Sequence, residues 1–145
     1  MAPELQIHFE DDDKDLRAAL TNEVLADLAG INRQSDNLKF SFYCKHDGDM
    51  VAGISCATSY DWLHIELLWV KADRRRRGLG TRLLARAEAY ATQQGAKRAW
   101  LETSNRDALS LYTAQGYIPF GRLTNDDTQF PPEIERVFME KRLAD

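Results

Sequence analysis

Between Asp13 and about Asn32, Leu16, Leu20, Val24, Leu25, Leu28 and Ile31 recur at helical spacing, which predicts an amphipathic helix. Asp13 and Asp15 suit its N-terminal end, where the helix dipole favours negative charge. Ahead of it, LQIHF (5–9) reads as a short first strand, and QSDNL (34–38) after it as a loop. KFSFYCK (39–45) alternates apolar and polar residues at the strand period, and MVAGISCATS (50–59) returns antiparallel across an Asp47-Gly48 hairpin signal. WLHIELLWV (62–70) is apolar almost throughout and predicts a central strand. A glycine-bearing turn follows. A helix then runs from about Gly78 to Gln94, with Leu79, Leu83, Ala87, Tyr90 and Ala91 as its inner stripe and Gly95 as its stop. KRAWLET (97–103) predicts a strand and Asp107–Gln115 a short helix ending at Gly116. YIPFGRL (117–123) and IERVFMEKRL (134–143) predict two closing strands around the acidic loop TNDDTQFPPE.

Together these elements specify a mixed α/β (α+β) fold. A mostly antiparallel sheet of six to seven strands is flanked by helices, with one strand–helix–strand unit. The 145 residues suit one domain, 1–145, with room for a proper core. No apolar run approaches the ~20 residues of a membrane span. The acidic opening MAPELQIHFEDDDKD does not read as a signal peptide, so a cytoplasmic location is expected. The hairpin sets Cys44 opposite Val51 and Cys56 opposite Lys39, which predicts two separate, reduced thiols. His8, His46, His64 and the cysteines lack zinc-like spacing, so no metal is expected.

Charge changes this picture in one place. Formal net charge is -4, yet Lys71 to Arg86 holds seven basic residues and one acid, a net of +6, which leaves -10 for the rest. A nucleic-acid binder spreads positive charge over a face. Here it is concentrated in one turn, RRRRGLG (74–80), and the helix after it. The first amides of a helix have no partner within it, and the dipole adds about half a positive charge there. Glycines let backbone approach an anion, and arginines add forked charged donors. The turn therefore reads as a pocket for one compact anion, against the plainer alternative of a solvated basic turn. A P-loop would need Gly-Lys-Ser/Thr, and a dinucleotide fingerprint would need glycine at position 83, which is leucine.

Arg75-Arg76-Arg77-Gly78-Leu79-Gly80 after ELLWV, with Asn105 and ALSLYTAQGYIPFG downstream, resembles the GNAT superfamily of N-acetyltransferases. The likeness is strong over about 62–123. It implies acetyl-coenzyme A as co-substrate, its pyrophosphate held by amides from about Arg76 to Thr81, with Gly78, Leu79 and Gly80 in the turn and Arg75 lining it. Arg77 and the other arginines would reach toward the ribose phosphate. The resemblance also implies that Leu68, Trp69 and Val70 pair their backbone with the pantetheine arm, and that Asn105 touches the same arm. It implies a V-shaped opening between the fourth and fifth strands, here 62–70 and 97–103. Tyr112 matches the family's general acid.

Acetyl transfer needs a free amine, a stabilised oxyanion and a proton for the departing thiolate. Strand alternation puts His64, Glu66 and Leu68 on one face. A charged Glu66 inside an apolar run calls for a partner or a function. Glu66 is taken as the base, with His64 or water as alternatives and an arginine partner as the structural one. Family likeness places the acceptor beside the first helical region and the loop before the last strand. These carry Asp11, Asp12, Asp13, Asp15, Asp126, Asp127, Glu133 and Glu135, which favours a cationic amine on a small molecule or peptide. The expected protein is a monomer or homodimer that binds neither nucleic acid nor membrane. The competing function is a catalytically silent acyl-coenzyme A-binding module on the same fold.

Overall fold

The structure is a computed structural model that describes residues 2–33 and 37–144, so most of the expected 34–38 loop lies outside the described residues. It divides into two compact units, Met1–Gln34 and Ser35–Asp145. The first holds helix α1, Lys14–Ile31. Asp13 takes the N-cap position, but its carboxylate pairs with Arg17 rather than with the helix amides. Leu16, Leu20, Val24 and Leu25 stay half exposed. Residues 5–9 form no strand, contrary to their alternation, and Leu5, Ile7 and Phe9 are exposed. A five-residue run gains ladder bonds only from a partner strand, and its pattern alone does not supply one.

The second unit is a six-stranded sheet in the order β1-β2-β3-β4-β6-β5. The strands are β1 Lys39–His46, β2 Asp49–Ser59, β3 Trp62–Val70, β4 Arg98–Thr103, β5 Ile118–Thr124 and β6 Glu135–Arg142. Only the β3–β4 pair is parallel. Helix α2, Leu79–Gln93, is the crossover between β3 and β4, and α3, Arg106–Ala114, follows β4. Leu83, Leu84, Ala87 and Ala91 of α2 and Tyr112 of α3 join Ile54, Leu63, Leu101 and Met139 of the sheet in one buried cluster. Tyr90 turns toward the sheet edge, where its ring meets Phe40 at 4.7 Å. Among the described residues no helix is long and apolar enough to cross a membrane.

Three bulges interrupt the ladders among the described residues, one of them at Phe120 in β5 and two that bear on the residues expected to share a face. Near the hairpin, Lys45 pairs with Met50, but Cys44 pairs with Ala52 and leaves Val51 as the extra residue. Cys56 therefore lies opposite Phe40 instead of Lys39. Both thiols are free. The second bulge is at Glu66: Ile65 pairs with Cys56 and Leu67 with Ser55, so Glu66 has no counterpart. An extra residue reverses the facing of everything after it. Leu63 and Ile65 are buried before the bulge, and Leu68 and Val70 pack on the core after it, while Leu67 and Trp69 are exposed.

Candidate active site

The end of β3 stands apart from its parallel neighbour. β4 pairs with β3 only at Trp62, Leu63 and His64, whereas β2 follows β3 to Val70. The ladder stops two residues before the bulge, so the backbone from Glu66 to Val70 has no β4 partner. This is the V-shaped opening expected between the 62–70 and 97–103 strands.

The arginine turn lies at the end of that free segment. Arg75 folds back and its Nε donates to the Val70 carbonyl at 2.8 Å, which ties the turn to the strand. Arg76 and Gly78 both take left-handed backbone, φ 64° and 79°. Gly78 adopts it without steric cost, whereas a non-glycine residue is strained there by roughly 1–2 kcal/mol. Alternating backbone of this kind gathers amides into an anion-binding concavity. Gly78 is the N-cap of α2 and brings no side chain to it. The first helical bond runs from the Arg82 amide to the Gly78 carbonyl, leaving the amides of Leu79, Gly80 and Thr81 without helical partners.

Turn, strand end and α3 enclose a cleft of about 610 Å³, within the usual size of small-molecule sites. Of the residues expected to bind cofactor, Leu68, Trp69, Val70, Arg75, Arg76, Gly78, Leu79, Gly80, Thr81 and Asn105 line it. Arg77 does not line it and is exposed. At Gly80 a Cβ would meet Leu111 Cδ1 at 3.4 Å and Val70 Cγ2 at 3.7 Å. These are ordinary contact distances, so a methyl group fits at this position and only a larger side chain would press on α3 and β3.

Asn105 caps α3, its Oδ1 accepting from the amides of Asp107 (2.9 Å) and Ala108 (3.4 Å). About two turns further on, Tyr112 reaches the same cleft while its side chain stays buried. Burial, and secondarily the Cys56 thiol, push its phenol up to about 12. No hydrogen bond occupies its hydroxyl among the described residues.

The two base candidates are separated by the bulge. Glu66 stands exposed, outside the cleft lining and without an ion pair among the described residues, so neither burial nor an arginine explains it. His64 stacks on Trp100 at 3.8 Å with the rings nearly parallel, on the last rung joining β3 to β4. Burial lowers its pKa below the usual imidazole value, against the opposing pull of Glu66 and Glu102. Leu68 faces the core side, so these three residues do not share a face.

Arg74, Asp107, Ala108, Ser110 and Leu111 also line the cleft and were missed from sequence. Ala108 lies one turn from Tyr112 along α3, and projecting that helix from Tyr112 would have found it.

A diphosphate fits this geometry, since convergent free amides, a helix N-terminus and arginines meet at one end and an apolar strand edge continues from them. Residues 5–117 match the family model described as the acetyltransferase (GNAT) family. Blasticidin-S acetyltransferase of Streptomyces morookaense is 36% identical over 104 residues, 71% of this chain and 74% of that protein. The crystal structure of an acetyltransferase from Bacillus cereus ATCC 14579 is similar with a TM-score of 0.79 at 25% identity, covering 94% of this chain and 97% of that one. Nourseothricin acetyltransferase has a TM-score of 0.62 at 26% identity, over 74% of this chain and 66% of that one. The chain belongs to the GNAT acetyltransferase family and is an acetyltransferase.

Proposed function

We propose that the cleft binds acetyl-coenzyme A and passes its acetyl group to a primary amine of a small, cationic molecule by direct attack in a ternary complex. The carrying observation is that the left-handed Arg76–Gly78 turn and Tyr112 line one cleft beside the free edge of β3. The amides from Arg76 to Thr81 hold the pyrophosphate, the backbone of Leu68–Val70 meets the amide-rich arm, and Asn105 closes on it from α3. Arg75 acts through the turn, holding Val70.

Bound acetyl-coenzyme A supplies an activated thioester. Tyr112 remains protonated at working pH because its phenol is raised to about 12. A thiol ionises near ~8.5, so outright transfer from Tyr112 is uphill by roughly 5 kcal/mol in the surroundings described. A charge-assisted hydrogen bond to the departing sulfur supplies stabilisation as negative charge develops there, and proton transfer completes it. Glu66, exposed at the bulge where β3 and β4 have parted, takes the ammonium proton directly or through water. His64 is the second candidate, since burial favours its neutral form.

For the acceptor, support comes from relatives named for blasticidin-S and nourseothricin, both small molecules. Within the acidic loop, Glu135 is taken by Arg122, and Asp126 by the amide and hydroxyl of Thr128. Asp127 and Glu133 carry no ion pair among the described residues and remain for a cation. The test mixes the protein with acetyl-coenzyme A and a panel of amino acids, polyamines, aminonucleosides, streptothricin-type amines and a lysine peptide. Thiol release is expected with a small cationic amine. Release with the peptide alone would overturn the acceptor class, and none with any amine would favour a silent binding module.

A further inference from the structure

Glu88 of α2 and Lys141 of β6 form the most buried ion pair among the described residues. Their side chains are 13% and 25% exposed, against 37% or more on either side of the other five pairs. Lys141 Nζ lies 2.9 Å from both Glu88 oxygens. The same carboxylate accepts the Tyr117 hydroxyl at 3.3 Å, and Lys141 Nζ stands 5.5 Å from the centre of the Tyr117 ring. Tyr117 is 1% exposed, and its ring meets Tyr112 edge-on at 5.7 Å and 64°. The backbone joins the two tyrosines as well: Gly116, φ 95°, turns the chain just past the end of α3, and the Tyr117 amide closes on the Tyr112 carbonyl at 3.0 Å. A Cβ at Gly116 would meet the Lys141 stem at 3.7 Å, so the lysine passes directly over this helix end.

We propose that Glu88, Lys141 and Tyr117 are positioning residues that hold the ring of Tyr112 at its angle in the cleft. Glu88 lies on the helix whose first amides form the anion turn, and Tyr112 lies on the other cleft wall. The pair therefore sets the distance between the group that anchors the cofactor and the group that serves its sulfur. Desolvating two charges is costly, and apolar residues of the same volume fill such a site equally well for stability alone. What apolar residues lack is a fixed acceptor for Tyr117 Oη, and that acceptor fixes where the far end of the Tyr117 ring lies against Tyr112.

This inference rests on the assignment of Tyr112 as the group that serves the sulfur, and a double-mutant cycle separates the two. Turnover is measured at saturating acetyl-coenzyme A for the parent, Tyr112→Phe, Tyr117→Phe and the double variant. Tyr117→Phe keeps the ring and removes only the hydroxyl that Glu88 holds. A misplacement of the order of 1 Å costs up to about 10²-fold, so kcat is expected to fall about tenfold, with KM for acetyl-coenzyme A within about twofold of the parent. In the Tyr112→Phe background the same change should matter less than about twofold, because nothing remains to position. Glu88→Ala should lose turnover as Tyr117→Phe does, and Glu88→Gln should restore most of it through its amide oxygen. With 3-fluorotyrosine at position 112, Tyr117→Phe should displace or broaden the ¹⁹F resonance, a readout that does not depend on Glu88→Ala folding. Parent turnover in Tyr117→Phe, an equal loss in both backgrounds, or an unmoved resonance overturns the proposal while leaving Tyr112 its role. Full turnover in Tyr112→Phe removes that role and the positioning with it.

Discussion

Replacing Tyr112 by Phe removes one oxygen from a buried ring and should separate catalysis from folding. The ring keeps its edge contact with Tyr117 and its place in the core, and no hydrogen bond among the described residues is lost. At pH 7 the melting temperature should stay within about 3 °C of the parent, since less than about 1 kcal/mol is at stake. Turnover should fall by roughly 10²–10⁴, or about 3–5 kcal/mol of transition-state stabilisation, if departure of the thiolate limits the rate. The loss should shrink with an acyl donor whose leaving thiol is more acidic. Stability at high pH gives an independent check. The Tyr112 phenol is raised to about 12 in the fold, against ~10 unfolded. A raised group contributes fully below the unfolded value and loses its contribution as pH climbs through the folded one. The parent should therefore lose up to roughly 3 kcal/mol from this group between pH 10 and 12, and Tyr112→Phe should be spared that loss. The assays are thiol release at saturating acetyl-coenzyme A and urea unfolding at pH 7 and above 11. Full turnover in Tyr112→Phe would refute the assignment, and identical alkaline losses would refute the placement of the phenol.

Gly80→Ala should be tolerated, because its Cβ meets Leu111 and Val70 at ordinary contact distances, whereas Gly80→Val should cost about 1–3 kcal/mol of stability by overpacking and weaken acetyl-coenzyme A in calorimetry. Arg75→Ala frees the Val70 carbonyl and should raise the Kd for acetyl-coenzyme A about tenfold, a loss of ~1.4 kcal/mol, while Arg77→Ala, outside the cleft, should stay within about twofold. Glu66→Gln should depress turnover chiefly at low pH, where free amine is scarce, with cofactor affinity unchanged; an unaltered pH–rate profile would point to His64 or to water.

Most of the fold was legible because its signals are local. Periodicity, an Asp-Gly hairpin and glycine stops gave β1 to β6, α2 and α3 to within a residue or two. The left-handed turn at Arg76 and Gly78 was legible for the same reason, since glycine spacing after an apolar strand is a local constraint. Residues 5–9 show the limit: alternation states that a run fits a strand, not that a partner is beside it. The bulges were missed because nothing in the composition of Val51 or Glu66 marks an extra residue, yet the one at Glu66 redirects the rest of β3 and takes Leu68 out of the face that alternation predicts for it with His64 and Glu66. That Gly80 also packs beside Leu111 was not legible, since only the folded chain brings that side chain against it. The Glu88–Lys141–Tyr117 cluster joins residues up to 53 positions apart, beyond the reach of any sequence window.

Titration of ¹⁵N-labelled protein with acetyl-coenzyme A tests the central claim most directly. Amide shifts should concentrate at residues 76–81, at 68–70 and along 105–112, the turn, the free strand edge and the face of α3 that line one cleft. Saturation at millimolar cofactor with those amides unmoved, or with shifts gathered elsewhere on the sheet, would contradict the account.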